Sequence, residues 1–287
     1  MAKDKLRDKI KVKLGEAVDN NVKDRVNDVN DPETESGEDT VDNGFFVKYF
    51  KICGMKEKDV RSNLKDMLSA KNPKVSYEAV PGEVHIKLEA RDEGDSSAKK
   101  LAKPLVKEIK NRFGLNIYTT DKDTTLEKAV VDLLKTNSLV LATCESCTGG
   151  MIASRIIDVP GASEVFKEGF VTYSNKAKRT RLGVKKGTLL KYGAVSEETA
   201  KEMVKGCATV SKANVTLSTT GIAGPDGGTE DKPVGLVYVG CNVCGKTRIN
   251  KYNFDGDRME IRQKATSCAL SLLRTCILEY YSEKNFS

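Results

Sequence analysis

Histidine, the general base of many hydrolytic sites, is almost absent from this chain. The sequence of 287 residues holds one histidine, His85. Residues 84–88 alternate strictly between apolar and polar side chains, which predicts a half-buried strand with His85 and Lys87 on its polar face. A solvated histidine is therefore expected there. A histidine-based triad elsewhere in the chain is nearly excluded, which leaves lysine, tyrosine, aspartate and glutamate as general bases.

Other absences narrow the class of protein. No apolar run approaches the roughly 20 residues that a membrane span needs, and the charged N-terminus lacks the apolar centre of a secretory signal. We therefore expect a cytoplasmic protein with no membrane partner. The formal charge is +7, but 41 acidic residues accompany 48 basic ones. Such a mixed surface does not indicate a nucleic-acid partner.

Composition and pattern divide the chain into three parts. Residues 1–44 join a basic head to an acid-rich stretch of low hydrophobicity, which is typical of a disordered segment or a tether. Residues 45–121 have the order strand, helix, two strands, helix, strand, which predicts a small α+β domain. Residues 122–287 alternate strands and helices, which predicts a three-layer α/β/α domain with helices on both faces of a mixed sheet.

The most informative stretch is residues 139–150, Leu-Val-Leu-Ala-Thr-Cys-Glu-Ser-Cys-Thr-Gly-Gly. Its apolar part predicts a buried strand, and the residues that follow predict a tight polar turn and then a helix. Gly149 and Gly150 allow close backbone approach, and a helix N-terminus presents unpaired N–H groups to an anion. Ser146 and Cys147 are adjacent in this turn, so only one of them can face a site.

Two further loops follow predicted strands, at residues 173–178 and 220–228. Ligands bind at the carboxyl ends of strands in open α/β sheets, so we expect these loops to converge on the turn. Lys178 is the best-placed general base for Ser146, because desolvation can lower the pKa of a lysine toward neutrality. A solvated Lys178 is the alternative. The backbone N–H groups of residues 148–150 could form an oxyanion hole.

Two cations lie at the start of the last predicted helix. Arg258 and Arg262 are one helical turn apart, on one face. Together with helix N-termini and the loop at residues 220–228, such an arginine suits a phosphate or a carboxylate. The loop has neither the G-x-G-x-x-G nor the P-loop spacing, so its glycines alone are weak evidence.

The eight cysteines allow a rival interpretation. Cys144 with Cys147, and Cys241 with Cys244, each have the C-x-x-C spacing of a zinc site. The two pairs are much farther apart in sequence than those of a zinc ribbon, and the first pair shares its strand end with Ser146. We therefore expect free thiols in a reducing compartment and no bound metal.

Six motifs occur together in one order. They are Thr143-Cys144-Glu145-Ser146-Cys147-Thr148-Gly149-Gly150, Tyr173-Ser174-Asn175-x-Ala177-Lys178, Gly193-Ala194-Val195-Ser196, Thr220-Gly221-Ile222-Ala223-Gly224-Pro225-x-Gly227-Gly228, Lys232-Pro233-Val234-Gly235 and Gly256-Asp257-Arg258. Together they closely resemble the C-terminal domain of the CinA competence/damage-inducible family. That domain is the nicotinamide-nucleotide amidase, or NMN deamidase, and the resemblance covers about residues 122–280. Residues 46–121 are similar to the small KH-like middle domain of full-length members.

The resemblance implies a serine amidohydrolase of pyridine nucleotide salvage. It would convert nicotinamide mononucleotide to nicotinate mononucleotide and ammonia with a Ser/Lys dyad and no cofactor. Ser146 would be the nucleophile, Lys178 the base, and Tyr173 would assist catalysis. A homo-oligomer, a dimer or larger, is also expected. The implied substrate-binding residues are Glu145, Thr148, Gly149, Gly150, Asn175, Thr220, Gly221, Gly224 and Arg258.

The sequence also departs from the family pattern. The family's first domain, a molybdopterin-binding-like fold with pyrophosphatase activity, has no counterpart in residues 1–44, so no pyrophosphatase function is expected. The family more often has alanine where Cys144 stands, which argues against zinc. A non-catalytic protein that binds a partner in competence or DNA damage is the alternative function.

Overall fold

The computed structural model describes residues 40–42 and 44–284. The prediction of a charged, disordered segment over residues 1–44 therefore falls mostly outside the described residues. Within that segment, Thr40–Asp42 forms strand β1, which pairs antiparallel with the next strand of the small domain. The sheet of the small domain thus begins before the predicted boundary at residue 45.

The small domain is an antiparallel sheet covered by two helices, in the order that the sequence predicts. The strands run β1-β2-β4-β3, and β5 pairs with β2 beside β1. The helices cover one face of the sheet through a core that includes Phe50, Ile86 and Ile109. The elements are β2 (Phe45–Cys53), α1 (Glu57–Leu64), β3 (Lys74–Val80), β4 (Glu83–Arg91), α2 (Ala98–Phe113) and β5 (Ile117–Thr119).

The larger domain is built on a mixed sheet of five strands. Their order is β10-β9-β8-β6-β7, with β6 parallel to both β7 and β8 and the remaining pairs antiparallel. The elements are α3 (Leu126–Thr136), β6 (Leu141–Glu145), α4 (Met151–Ile157), β7 (Phe166–Val171), α5 (Asn175–Leu182), α6 (Lys186–Tyr192), α7 (Glu197–Ser211), β8 (Val215–Gly221), β9 (Leu236–Val243), β10 (Lys246–Asn253) and α8 (Arg258–Lys284).

Helices cover both faces of this sheet, which confirms the predicted three-layer arrangement. Helices α3, α4 and α8 pack on one face around Leu134, Ile152 and Leu273. Helices α5 and α7 pack on the other face around Leu182 and Met203. Strand β6 lies between its parallel neighbours β7 and β8. Helix α4, which connects β6 to β7, and helices α5 and α7, which connect β7 to β8, lie on opposite faces of the sheet. The carboxyl end of β6 is therefore a topological switch point, the usual place for a ligand in such sheets.

Several elements differ from the sequence prediction. Helix α6 and strand β1 were not predicted, because short elements of polar composition give little periodic signal. In the part of the chain that the structure describes, no helix has the length and apolar character needed to cross a membrane.

The two domains share a contact surface. Lys51 of β2 donates to Thr124 O at 2.8 Å. Arg274 of α8 donates to Ile117 O at 3.1 Å and also to Leu115 O. Tyr118 of the small domain belongs to the apolar core of the larger one. The small domain is thus packed on helix α8 and is not merely tethered to it.

Candidate active site

Strand β6 ends in a turn that places Ser146 at the carboxyl edge of the sheet. We call residues 146–150 the serine turn. The Ser146 N–H donates to Thr219 O at 3.0 Å, so Ser146 continues the pairing of β6 with β8, and it is 8% exposed. Gly149 and Gly150 have φ angles of +61° and +94°, a left-handed conformation that other residues adopt at a cost. The turn therefore depends on both glycines.

Glu145 fixes the serine turn to the first turn of helix α4. Its buried carboxylate accepts hydrogen bonds from Thr148 Oγ1 at 2.7 Å and from the N–H groups of Gly150, Ile152 and Ala153 at 2.9, 3.2 and 3.0 Å. A negative charge is favoured there by the unpaired N–H groups and the helix dipole. Glu145 and Thr148 thus stabilise the conformation of the serine turn. The substrate contacts predicted for them stay predictions.

Lys178 lies in the first turn of helix α5, after its N-cap Ser174. Its side chain is 1% exposed, and its Nζ is 2.8 Å from Ser146 Oγ, 2.8 Å from Thr172 O and 3.4 Å from Tyr173 O. None of these three partners carries a negative charge. Burial lowers the pKa of Lys178 to about 8. The solvated lysine considered from sequence is therefore the wrong alternative.

Helix α5 is held by a close approach to helix α7. A Cβ on Gly206 of α7 would lie 1.9 Å from Leu182 O, at the end of α5. No other residue fits at this position without movement of the backbone. The absence of a side chain at Gly206 therefore sets how deeply α5, and with it Lys178, can approach the sheet.

Cys147 faces the opposite way from Ser146. It lies in the core between the sheet and helix α8, and burial raises the pKa of its thiol to about 11. A thiol that stays protonated at neutral pH is a poor nucleophile. Of the two adjacent candidates, Ser146 is therefore the one whose side chain contacts Lys178.

The cysteine pairs do not form a zinc site. Cys144 lies in the core on the α5 and α7 face, whereas Cys147 and Cys241 lie in the core on the other face. Cys244 is exposed in the hairpin between β9 and β10. Among the described residues, no group of three or more histidine, cysteine, aspartate or glutamate side chains could hold a metal ion. The rival zinc interpretation is thereby contradicted.

A second group of contacts joins the loops at the edge of the site. Arg258, at the start of α8, donates to Gly224 O at 2.6 Å and to Tyr173 Oη at 3.3 Å. Tyr173 is 63% exposed, so its ring is accessible to a ligand. The structure therefore brings Tyr173, Gly224 and Arg258 together, as the predicted convergence of the loops requires.

Three other predicted residues have contacts of their own. Thr220 is buried, and its Oγ1 donates to Ala194 O at 2.7 Å. A Cβ on Gly221 would lie 2.6 Å from Val237 Cγ2, so Gly221 allows β8 to pack on β9. Asn175 is exposed in the first turn of α5. Their proposed contacts with a ligand stay predictions.

The predicted site residues omit Arg262, which binds the serine turn directly. Its Nε donates to Cys147 O at 3.1 Å, and one of its terminal nitrogens donates to Thr148 O at 2.9 Å. In the sequence, the only indication of a role for Arg262 was its position one helical turn after Arg258. Because α8 is far from the turn in sequence, only the fold could show which atoms Arg262 contacts.

Thr172 was also not predicted. Its N–H donates to Glu145 O at 2.8 Å, and its carbonyl accepts from Lys178, so it lies beside the Ser146–Lys178 pair. Within the described part of the chain, Thr172 Oγ1 is the buried side-chain polar atom that has no hydrogen-bond partner. Buried hydroxyls are almost always hydrogen-bonded, so this atom is a candidate contact for a water molecule or a ligand.

Fold and site together define the class: an α/β protein with a buried serine–lysine pair at the switch point of a mixed sheet. Comparison with known families agrees with this description. The profile of the CinA C-terminal domain matches residues 123–277, and the profile of the damage-inducible protein CinA KH domain matches residues 47–119. The first match alone covers more than half of the chain, which therefore belongs to the CinA family.

Individual relatives support the assignment. A competence-damage inducible protein of Clostridium beijerinckii is 49% identical over 80% of this chain, and one of Clostridium tetani is 48% identical over 79%. The matches cover 56% of each relative, so the chain spans about half the length of these curated proteins.

Solved structures resemble the larger domain. The crystal structure of competence/damage inducible protein CihA from Agrobacterium tumefaciens is 40% identical with a TM-score of 0.51, and it covers 54% of this chain and 93% of its own. A CinA superfamily protein from Klebsiella pneumoniae is 32% identical with a TM-score of 0.52, and it covers 54% and 96%. The structures of these relatives are thus nearly complete counterparts of about half of this chain.

Proposed function

We propose that this protein hydrolyses the carboxamide of nicotinamide mononucleotide to nicotinate mononucleotide and ammonia. The observation that carries the proposal is the 2.8 Å contact between Lys178 Nζ and Ser146 Oγ in a buried site. With a pKa of about 8, roughly a tenth of the Lys178 side chains are neutral at pH 7. A neutral lysine can accept the proton of Ser146, which makes the hydroxyl a nucleophile.

The proposed reaction has two stages. The Ser146 hydroxyl gives its proton to neutral Lys178 as Oγ bonds to the carboxamide carbon. Lys178 then gives that proton to the departing nitrogen, the C–N bond breaks and ammonia leaves. In the second stage, Lys178 accepts a proton from water as the water oxygen attacks the acyl-serine. As the ester bond breaks, Lys178 returns this proton to Ser146 Oγ. The product leaves as nicotinate mononucleotide, its new carboxylic acid losing its proton to solvent, and both Ser146 and neutral Lys178 are restored.

The oxyanion of each stage needs hydrogen-bond donors close to Ser146. The sequence predicts the N–H groups of residues 148–150 for this role. Since the Gly150 N–H already donates to Glu145, the proposal narrows to Thr148 and Gly149. Arg262 supports this part of the turn through the carbonyls of Cys147 and Thr148, which fixes the direction of the following N–H groups.

The substrate's charges suit the surroundings of Ser146. Its pyridinium ring is cationic, so a lysine whose pKa is lowered, and which is neutral in part of the molecules, repels it less than a permanently charged one would. The exposed ring of Tyr173 can contact the pyridinium by a cation–π interaction. The guanidinium of Arg258, beside the loop at residues 220–228, can bind the 5′-phosphate. No step in this scheme uses a metal ion.

Ammonia release from nicotinamide mononucleotide tests the proposal. We expect wild-type protein to release ammonia with or without a chelator, and Ser146→Ala to lose activity by a factor of about 10³ or more. Ser154→Ala is a matched control, because Ser154 is exposed on helix α4. Unchanged activity in Ser146→Ala would refute the nucleophile. Absence of activity in the wild type would favour the non-catalytic, partner-binding alternative.

A further inference from the structure

The contact surface between the domains contains a cluster of buried and half-buried ions. Glu83 begins strand β4 of the small domain and is 7% exposed. Its Oε2 accepts from Tyr118 Oη at 2.7 Å, and its Oε1 accepts from Arg155 at 3.1 Å and lies 3.3 Å from Ser267 Oγ. His85 Nε2 is 3.7 Å from the same carboxylate, so His85 is half-buried in this cluster and not solvated as predicted.

Arg155 links this cluster to the helix that follows the serine turn. It lies in α4, and its guanidinium donates to Glu83, to Glu127 at 3.0 Å and to Ser267 Oγ at 2.8 Å. Burial acts to lower the pKa of Arg155, but the charges of Glu127 and Glu83 outweigh it, so the pKa is raised. Arg155 therefore stays charged, and its position depends on a carboxylate that the small domain supplies.

Helix α4 is short, and both of its ends are held by charge. At its N-terminus the carboxylate of Glu145 binds the serine turn, and near its C-terminus Arg155 binds Glu83. A helix of seven residues has few contacts of its own to fix its axis. If the contact between Arg155 and Glu83 is lost, helix α4 can therefore tilt as a rigid body and shift the serine turn at its other end.

Helix α8 repeats this arrangement. Arg262 donates to the carbonyls of the serine turn, while Ser267, farther along the same helix, donates to Pro81 O of the small domain at 2.8 Å. Burial acts to raise the pKa of Glu83, yet the adjacent His85 ring and the charge of Arg155 leave it lowered. The anchor is thus an ionised carboxylate at the point where α4 and α8 both meet the small domain.

We propose that Glu83 is a positioning residue for Ser146, acting through Arg155 and helix α4, so that the small domain is part of the catalytic apparatus. The proposal rests on the proposed function for its kinetic readout. We expect loss of the Glu83 charge to slow the chemical step, because misplacement of a reacting group by about 1 Å can cost on the order of 10²-fold in rate. Binding of the substrate, which uses other residues, changes little.

The test compares Glu83→Gln with Glu89→Gln. Glu89 lies on the same strand and pairs with Lys87 at 2.7 Å, within the small domain. We expect Glu83→Gln to lower kcat by roughly 10–100-fold with KM within about twofold, and Glu89→Gln to leave both unchanged. A merely structural role would lower the folded fraction and leave kcat per folded molecule at the wild-type value, which would overturn the proposal.

A second readout does not need the natural substrate. A serine-directed fluorophosphonate labels an activated serine, and mass spectrometry measures the rate at Ser146. We expect slower labelling in Glu83→Gln, and no further slowing when this change is added to Arg155→Met. Effects that multiply in the double variant would show that Glu83 acts independently of Arg155. A wild-type rate of labelling in Glu83→Gln would refute positioning altogether.

The two readouts separate the two proposals. If wild-type Ser146 is labelled but no ammonia forms, the proposed substrate is wrong while the labelling still decides the role of Glu83. If wild-type Ser146 is neither labelled nor productive, both proposals fall. Should Glu83→Gln fail to fold, Tyr118→Phe removes only the hydroxyl that donates to Glu83 at 2.7 Å. It should slow labelling by a few-fold, and an unchanged rate would count against positioning.

Discussion

Lys178 lies beside Ser146, whereas Arg155 lies at the far end of helix α4 from the serine turn, and the protein holds these two cations in opposite ways. Lys178 is buried with only neutral partners, and its pKa is lowered to about 8. Arg155 is half-buried between two carboxylates, and its pKa is raised. Lys178 can therefore lose its proton close to neutral pH, whereas Arg155 stays charged. The difference separates a group suited to proton transfer from a group suited to holding elements together.

The largest effect that sharpens this comparison is expected from Lys178→Met. Ammonia release should fall by about 10²–10⁴-fold, because the base is removed. The free energy of unfolding at pH 7 should rise by about 1–3 kcal/mol, because a buried charge without an ionic partner is replaced by an apolar chain of similar length. Urea unfolding measures the second effect. A less stable variant would contradict the view that Lys178 is held at a cost.

Arg155→Met should have the opposite effect on stability. It leaves Glu83 and Glu127 without their shared cation, so the free energy of unfolding should fall by about 2–4 kcal/mol. The same urea experiment measures it, with Arg181→Met on the exposed side of helix α5 as the control. A decrease in the free energy of unfolding below about 0.5 kcal/mol would mean that the ion pairs of Arg155 stabilise the fold no more than exposed ion pairs do.

A further prediction is a pH dependence of stability and of activity that arises from Lys178. Since its pKa is about 8 in the folded protein and about 10.4 when unfolded, the folded state binds fewer protons between these values. The contribution of Lys178 to stability therefore rises with pH across that window, and its full cost is present below pH 8. Activity should rise with pH and level off above about 8.

The control for this prediction is the difference between two titrations. Wild type and Lys178→Met share all other groups, so the difference in their unfolding free energies reports Lys178 together with its electrostatic interaction with the thiols of Cys144 and Cys147. A difference that stays flat from pH 7 to pH 10.5 would contradict the lowered pKa. Arg155→Met should give no such slope against wild type, since arginine does not titrate in this range.

The two sites also differ in how far sequence could predict them. The strand, turn and helix around Ser146 follow from an apolar run, two glycines and a periodic segment that are contiguous in the chain. The Lys178 loop follows from the rule for strand ends, and the resemblance to the family joined the two. Local pattern and the rule for strand ends thus made Lys178 a candidate base, and the family resemblance was needed to pair it with Ser146.

The ion cluster could not be predicted in this way. Glu83, Arg155 and Ser267 come from three distant segments, and each occurs in a context where a polar residue is ordinary. Alternation placed His85 on a polar face, but it could not show that helix α8 and Tyr118 cover that face. Contacts between domains depend on which surfaces meet, and that information is distributed over the whole chain.

The position of Cys244 makes it a suitable site for attaching a fluorescent label. It is the exposed member of the eight cysteines, and it lies at the tip of the β9–β10 hairpin. Because β9 runs antiparallel to β8, this tip is at the opposite end of the sheet from Gly221, a strand length of about 25 Å away. A maleimide dye attached there would report on the molecule by fluorescence from the opposite end of the sheet to Ser146. The buried thiols beside Ser146 would remain unmodified.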